Sequence, residues 1–285
     1  MFRVFKIELK KALGNKLFLI TLTIGLIIGF VSAYQNINNY AQVAADNAYR
    51  MEVSEILFNP LYPMFSPFTC WIGGDYQYPM TSLFYLLLPL MASLAFGWSF
   101  FMEKKSGYIK NVVIRTKKTH YFLAKYIAVF LSGGTVIVIP LIVNFLTVAC
   151  FIPAYHPDIF YSIYYKMDYH FLSEFFYSSP LLYVIYIMVL DFVFSGLIAT
   201  VSMALTFFVK NRFVVVLLPF LSLLGIQYLQ DTLTNTFQVS FSLIEFLKGY
   251  AMQPVIGWVI LSWIIILFFL TFGITCFKGV KDDVF

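Results

Sequence analysis

The chain has 285 residues, of which 61% are hydrophobic and only 12% charged, and its formal net charge is +5. Soluble domains carry about 25% charged residues, so this sequence lacks the polar surface needed to cover a globule in water. An ordinary soluble enzyme is excluded, and lipid becomes the solvent to consider.

Phe2, Phe5, Leu9, Ala12 and Leu13 recur at helical spacing, with Arg3, Lys6, Lys10 and Lys11 mostly off that stripe. This pattern predicts a basic amphipathic helix over residues 1–16, lying among the headgroups before the chain turns into the bilayer. Residues 1–33 also have the marks of a signal peptide, ending in the small-residue run Val31-Ser32-Ala33. The segment is expected to be retained as an anchor helix.

A hydrocarbon core of about 30 Å needs roughly 20 apolar residues in a helix. Six stretches qualify, at about Leu17–Tyr34, Ser82–Phe101, Tyr126–Ile152, Pro180–Val209, Phe213–Leu229 and Val255–Phe277. Only Lys210-Asn211-Arg212 separates the fourth from the fifth, which predicts a tight helical hairpin. Pro89, Pro140 and Pro219 fall inside spans and should loosen them, while Gly25-x-x-x-Gly29 permits close helix approach. The fold expected is all-α and integral to the membrane: one domain over 1–285, with six spans and an interfacial N-terminal helix.

Three loops should face outward. Gln35–Thr81 is long and proline-rich in its second half. Pro153–Ser179 is crowded with Tyr and Phe, which suit the membrane–water interface. Gln230–Pro254 contains the partly apolar stretch Phe237–Tyr250, too short to span, which would either re-enter the membrane or lie flat on it. With both termini inside, sixteen of the nineteen basic residues stand against four acids in the inner segments, a balance of +12. The outer loops hold three basic residues against nine acids, a balance of −6. This asymmetry follows the positive-inside rule, so the basic excess reads as a topology signal and not as a nucleic-acid footprint.

Catalytic chemistry finds no support in the motifs. There is no HExxH, GxSxG or phosphate-binding GxxxxGK[ST] run. His120, His156 and His170 are placed outside the spans, and Cys70, Cys150 and Cys276 form no CxxC pair. The one intramembrane charge is Asp191. Buried carboxylates in lipid are costly and commonly face a partner or a cavity, so Asp191 is a candidate substrate-path residue. A proton-coupled secondary transporter is the alternative that follows from it, and a non-transporting assembly or sensor subunit is a third reading.

The segment joining the second and third spans is the most informative. It opens with Glu103-x-x-x-Gly107, continues through the short helix Ser106–Ile114 and a basic turn, and leads into the third span with Tyr121-x-x-x-Lys125. In this position the pattern closely resembles the ABC-2 type permease family, with Thr116 in a turn where that family often has proline. The resemblance extends to chain length, the six spans and the interfacial N-terminal helix.

It implies a coupling helix that docks on a separate nucleotide-binding subunit, with Glu103, Ser106, Gly107, Lys110 and Ile114 at the contact. It further implies no cofactor in this chain, ATP and Mg on the partner subunit, and a second permease copy or homologous permease completing the path. The expected location is a bacterial plasma membrane with both termini cytoplasmic. Small ABC-2 permeases with a sizeable first outer loop resemble those of antimicrobial-peptide export and self-protection systems, which puts an amphipathic peptide first as cargo. On this reading Glu103→Lys or Gly107→Pro should uncouple the ATPase and leave the membrane fold intact.

Overall fold

The computed structural model describes residues 1–54, 65–158, 171–233, 239–249 and 254–281. In chain order the helices are α1 Phe2–Leu13, α2 Lys16–Ser54, α3 Pro67–Cys70, α4 Pro79–Ala92, α5 Ser99–Lys105 and α6 Tyr108–Val113. They continue with α7 Lys118–Phe151, α8 Ser173–Ser178, α9 Pro180–Leu205, α10 Arg212–Leu233, α11 Leu243–Leu247 and α12 Gly257–Lys281. A π-helical turn, Ser93–Gly97, joins α4 to α5. No strand occurs among the described residues. Six rods are long and apolar enough to cross a membrane: α2, the α4–α5 rod, α7, α9, α10 and α12. The protein is an all-α, multi-pass membrane protein.

Packing is organised around α7 and α9. Both touch α4 and α12; α7 also carries α1 and α2, and α9 carries α10. The two central helices approach closely because Gly133 presents no side chain. A Cβ there would lie 2.5 Å from the Ala199 Cβ and 2.8 Å from the Ser195 carbonyl oxygen. Such close approach is a common basis of helix association in lipid, where no hydrophobic force drives helices together. Gly25 and Gly29 likewise lie against Pro140 and Asn144 of α7. The outer helices α10 and α12 leave Phe213, Trp258, Phe269 and Phe277 exposed, as suits a lipid-facing surface.

Several boundaries differ from the sequence expectation. The first crossing does not end in a loop at Tyr34: α2 runs unbroken to Ser54, a length of about 58 Å at 1.5 Å per residue. Apolarity ends near Tyr34, but no Gly or Pro follows before Pro60, so nothing between Tyr34 and Ser54 stops the helix. The third span begins at Lys118, eight residues earlier than expected, and the fourth ends at Leu205 instead of Val209. Its hairpin to α10 is made by residues 206–211. Pro89 removes a donor from α4, and the π turn follows within the same rod.

The end of the bundle away from α1 is closed by short polar ties. The Asn144 side chain donates to the Gly29 carbonyl at 2.8 Å and accepts from the Ile72 backbone N–H at 2.8 Å. Asn36 donates to Asp75 at 2.9 Å. Burial pushes the Asp75 carboxyl above the usual carboxylate range, against hydrogen bonds from Asn36 and from the backbone of Gln77 and Tyr78.

In the aromatic loop expected to lie on the bilayer, residues 159–170 are outside the described residues. Its last part packs inward, with Phe176 fully buried and edge-on to Tyr183. The segment expected to re-enter or lie flat folds back as α11, whose Leu243, Ile244, Phe246 and Leu247 are buried against the bundle. There Phe246 meets Phe194, and the Gly249 N–H reaches the Gly73 carbonyl at 2.8 Å. Residues 234–238 and 250–253, which flank it, are outside the described set.

Gly133→Leu should lower the thermal midpoint of the detergent-solubilised chain strongly, by the equivalent of about 3 kcal/mol or more, because backbone must move to admit the side chain. Gly225→Ala is the contrast: nothing lies within 4 Å of its added Cβ, so no loss should be measured.

Candidate functional site

The end of the bundle that carries α1 is built around four charges. α1 lies across α7 with Glu8 and Ala12 buried. Glu103 is on α5, and Tyr121 and Lys125 stand one turn apart on the same face of α7. Lys125 Nζ is wholly buried between two carboxylates, 2.9 Å from Glu8 Oε2 and 2.9 Å from Glu103 Oε2. Lys11 Nζ closes the ring, 2.8 Å from Glu8 Oε1 and 3.3 Å from Glu103 Oε1.

The surrounding aromatics complete the set of partners. The Tyr121 hydroxyl donates to Glu103, Lys11 donates to the Tyr108 hydroxyl at 2.8 Å, and Lys125 lies 4.2 Å from the centre of the Phe96 ring. Phe96 belongs to the π turn, so that irregularity brings an aromatic face to the buried ammonium. Burial works to lower the Lys11 pKa, but hydrogen bonds to Glu8 and Tyr108 and the charge of Glu103 outweigh it and raise it above the ordinary lysine value. The Lys11 contribution to stability is therefore present at neutral pH and is lost only as pH rises through that raised value.

Between Glu103 and Lys125 the chain makes a compact hairpin. The Ser106 N–H closes α5 on the Met102 carbonyl, and Gly107 then takes φ +71°, a left-handed conformation that L side chains rarely adopt. α6 follows with Ile109 buried, while Lys110 and Ile114 point away from the bundle, Ile114 with 77% of its surface exposed. Thr116 Oγ1 donates to the Val112 carbonyl at 2.9 Å and closes the end of α6, so a threonine stops the helix at this turn without proline. A cleft of about 680 Å³ opens between α1 and α6, lined by Val4, Ile7, Tyr108, Val112 and Arg115 among others.

A second set of contacts braces the same end. Arg212 lies 4.0 Å from the Trp98 ring centre, Lys104 lies 5.3 Å from Phe207, and Lys278 lies 3.8 Å from Phe208. The first pair ties α10 to the start of α5, and the other two tie α5 and α12 to the 206–211 turn. Many of the basic residues that signal topology in the sequence therefore also do structural service.

The candidate residues separate into three groups. Glu103 turns inward and holds the ring; Ser106, Lys110 and Ile114 are on the outer surface, with Gly107 at the reversal. Asp191 is elsewhere: it is fully buried in α9 and accepts from the Tyr85 hydroxyl at 3.2 Å, while its Oδ1 has no hydrogen-bond partner among the described residues. Tyr85 is eighteen residues from Glu103 along the α4–α5 rod, about 27 Å in helical rise.

His120 is in the first turn of α7, so one histidine does sit within a membrane-length helix, and the described residues contain no group of three or more metal-ligating side chains. Sequence reasoning missed Glu8 and Lys11. The available signal was that Glu8 is the only acid before Asp46 and stands three residues ahead of Lys11. The buried face of α1 is accordingly Val4–Glu8–Ala12, and Phe2, expected on the apolar stripe, is 78% exposed.

Fold and site together define a multi-pass α-helical membrane protein with a charge-braced helical hairpin at one end. No protein-family model matches the chain, and no curated protein or solved structure matches it either.

The ring is neutral as a unit, so removing one member leaves an uncompensated buried charge. Lys125→Met should cost about 3–5 kcal/mol, seen as a lowered unfolding midpoint in detergent. The double replacement Lys125→Met with Glu8→Leu leaves Lys11 paired with Glu103 and should recover most of that loss. Additive losses in the two single and double variants would show that the four groups do not act as a ring. Glu103→Lys would set three cations around Glu8, so its effect falls on the fold before it reaches any partner.

Proposed function

We propose that the chain is the transmembrane permease subunit of an ATP-driven ABC-type exporter. It lies in a bacterial plasma membrane with both termini cytoplasmic and draws its work from a separate nucleotide-binding subunit that carries ATP and Mg. The observation that carries this reading is the α5–α6–α7 hairpin. The Glu103-x-x-x-Gly107 and Tyr121-x-x-x-Lys125 patterns come together through one carboxylate, and the short helix between them presents Lys110 and Ile114 outward. A short helix fixed rigidly to two spans is suited to transmit force from a soluble motor into the bilayer. On this reading the helix docks on the ATPase through Ser106, Lys110 and Ile114, and Glu103 and Gly107 set its angle.

A second copy or a homologous permease would supply the other half of the path. The cargo class that fits the Phe-, Leu- and Ile-rich spans is amphipathic or hydrophobic, with a peptide first. Affinity purification in mild detergent from the native host should bring down an ATPase with this chain. Ile114→Glu with Lys110→Glu should abolish that association while leaving the unfolding midpoint within about 0.5 kcal/mol, as is usual for surface changes. Wild-type co-purification by the doubly substituted chain would overturn the assignment of the contact.

One observation favours a different class of mechanism. The unpartnered oxygen of the buried Asp191 suits a proton-coupled secondary transporter. That reading requires the purified chain to move cargo in vesicles without nucleotide, and Asp191→Asn to stop it. Transport that needs ATP and persists in Asp191→Asn excludes it.

A further inference from the structure

α1 has three sides, and the ring accounts for only one of them. Val4, Glu8 and Ala12 face the bundle, with Lys11 at the edge of that face. Phe2, Leu9 and Leu13 recur at i, i+7 and i+11 and so share a second side at 3.6 residues per turn. Phe2 is 78% and Leu13 40% exposed, a large apolar surface for a helix that already has a buried face. Arg3, Lys6 and Lys10 occupy the third side, adjacent to the apolar one, and all three are exposed. None of them makes an ion pair among the described residues, because the one acid of the helix, Glu8, is taken by Lys11 and Lys125.

An apolar side flanked by unpaired cations on a helix at the end of a membrane bundle matches the layering of an anionic bilayer surface. Acyl chains take the apolar residues, and phosphates take the cations at the same depth.

We infer that α1 is a docking surface for anionic phospholipid headgroups, with Arg3, Lys6 and Lys10 on the phosphates and Phe2, Leu9 and Leu13 in the acyl region beside them. The occupant is a lipid rather than an acidic protein because the cations adjoin an apolar side that water would leave uncovered. The inference goes beyond the exporter reading and needs only that the chain spans a bilayer. It has a mechanical consequence. The helix that holds the lipid also carries Glu8 and Lys11, so lipid occupancy steadies the ring and, through Glu103 and Lys125, the α5–α6–α7 hairpin.

The test uses the purified full chain in uncharged detergent micelles doped with phosphatidylglycerol or with phosphatidylcholine of the same acyl chains. Lipid retained is counted by native mass spectrometry, and the unfolding midpoint is followed in parallel. Each basic residue near an anionic surface is worth roughly fivefold in binding, so phosphatidylglycerol should be retained about 100-fold more tightly than phosphatidylcholine. It should also raise the midpoint more than phosphatidylcholine does. The preference should weaken with added salt, vanish in Arg3→Gln/Lys6→Gln/Lys10→Gln, and survive in Arg3→Lys/Lys6→Arg/Lys10→Arg. Equal retention of the two lipids by the wild-type chain would overturn the proposal, as would an undiminished preference in the neutralised variant. Neither measurement involves an ATPase, so either result leaves the exporter assignment to its own test.

Discussion

A lysine ammonium with no solvent exposure has to be matched where it stands, and Lys125 is matched twice, by Glu8 and by Glu103. Each carboxylate comes from a different part of the chain, one from the helix that precedes the first span and one from the end of the second. The demand of one buried cation therefore draws three elements to a single point. Lys11 then neutralises the second charge so that the set closes on itself. Such a ring is weak evidence for net stability, because desolvation consumes much of the Coulombic gain. It is better suited to fixing geometry, since any displacement of α1, α5 or α7 strands a charge in low dielectric.

The rest of the bundle is arranged so that this point is rigid. α7 is in the centre, pressed on α9 where Gly133 allows it, and α2 and α4 lean on its other sides. The rod leading to Glu103 is the irregular one. It carries Pro89 and the π turn, which delivers Phe96 to the face of Lys125. Beyond the ring, the aromatic–cation pairs at Trp98, Phe207 and Phe208 hold α10 and α12 to the same end. The opposite end is closed differently: Asn144 ties backbone to backbone, Asn36 donates to Asp75, and the inward-folded α11 carries the local Glu245–Lys248 pair. The four-membered charge ring is at the end where α6 is presented.

Much of the architecture was readable from the chain itself. Uncharged apolar runs of span length need no partner to define them, because the hydrocarbon core imposes a minimum length and each helix satisfies its own backbone. Six spans, the amphipathic start and the special segment between the second and third spans follow from that. The limits of elements were read less well. Apolarity marks where lipid ends, whereas a helix ends only where backbone chemistry stops it. The sequence therefore suggested a boundary at Tyr34 and α2 passes through it to Ser54.

What the letters alone determined was composition along one dimension: which stretches prefer lipid, where the cations collect, and that Glu103, Tyr121 and Lys125 occur at fixed spacing around a short helix. Tertiary structure decided which side chains meet. It put Glu8 and Lys11 beside Glu103, turned Glu103 from a surface residue into an internal brace, left Ile114 and Lys110 outside, and folded Phe246 onto Phe194. The reason is that an ion pair between residues 8 and 125 has no periodicity and no local pattern. It exists only because the fold brings α1, the end of α5 and α7 to one point, where Lys125 meets Glu8 and Glu103 and Lys11 completes the ring, and that meeting is a property of three dimensions.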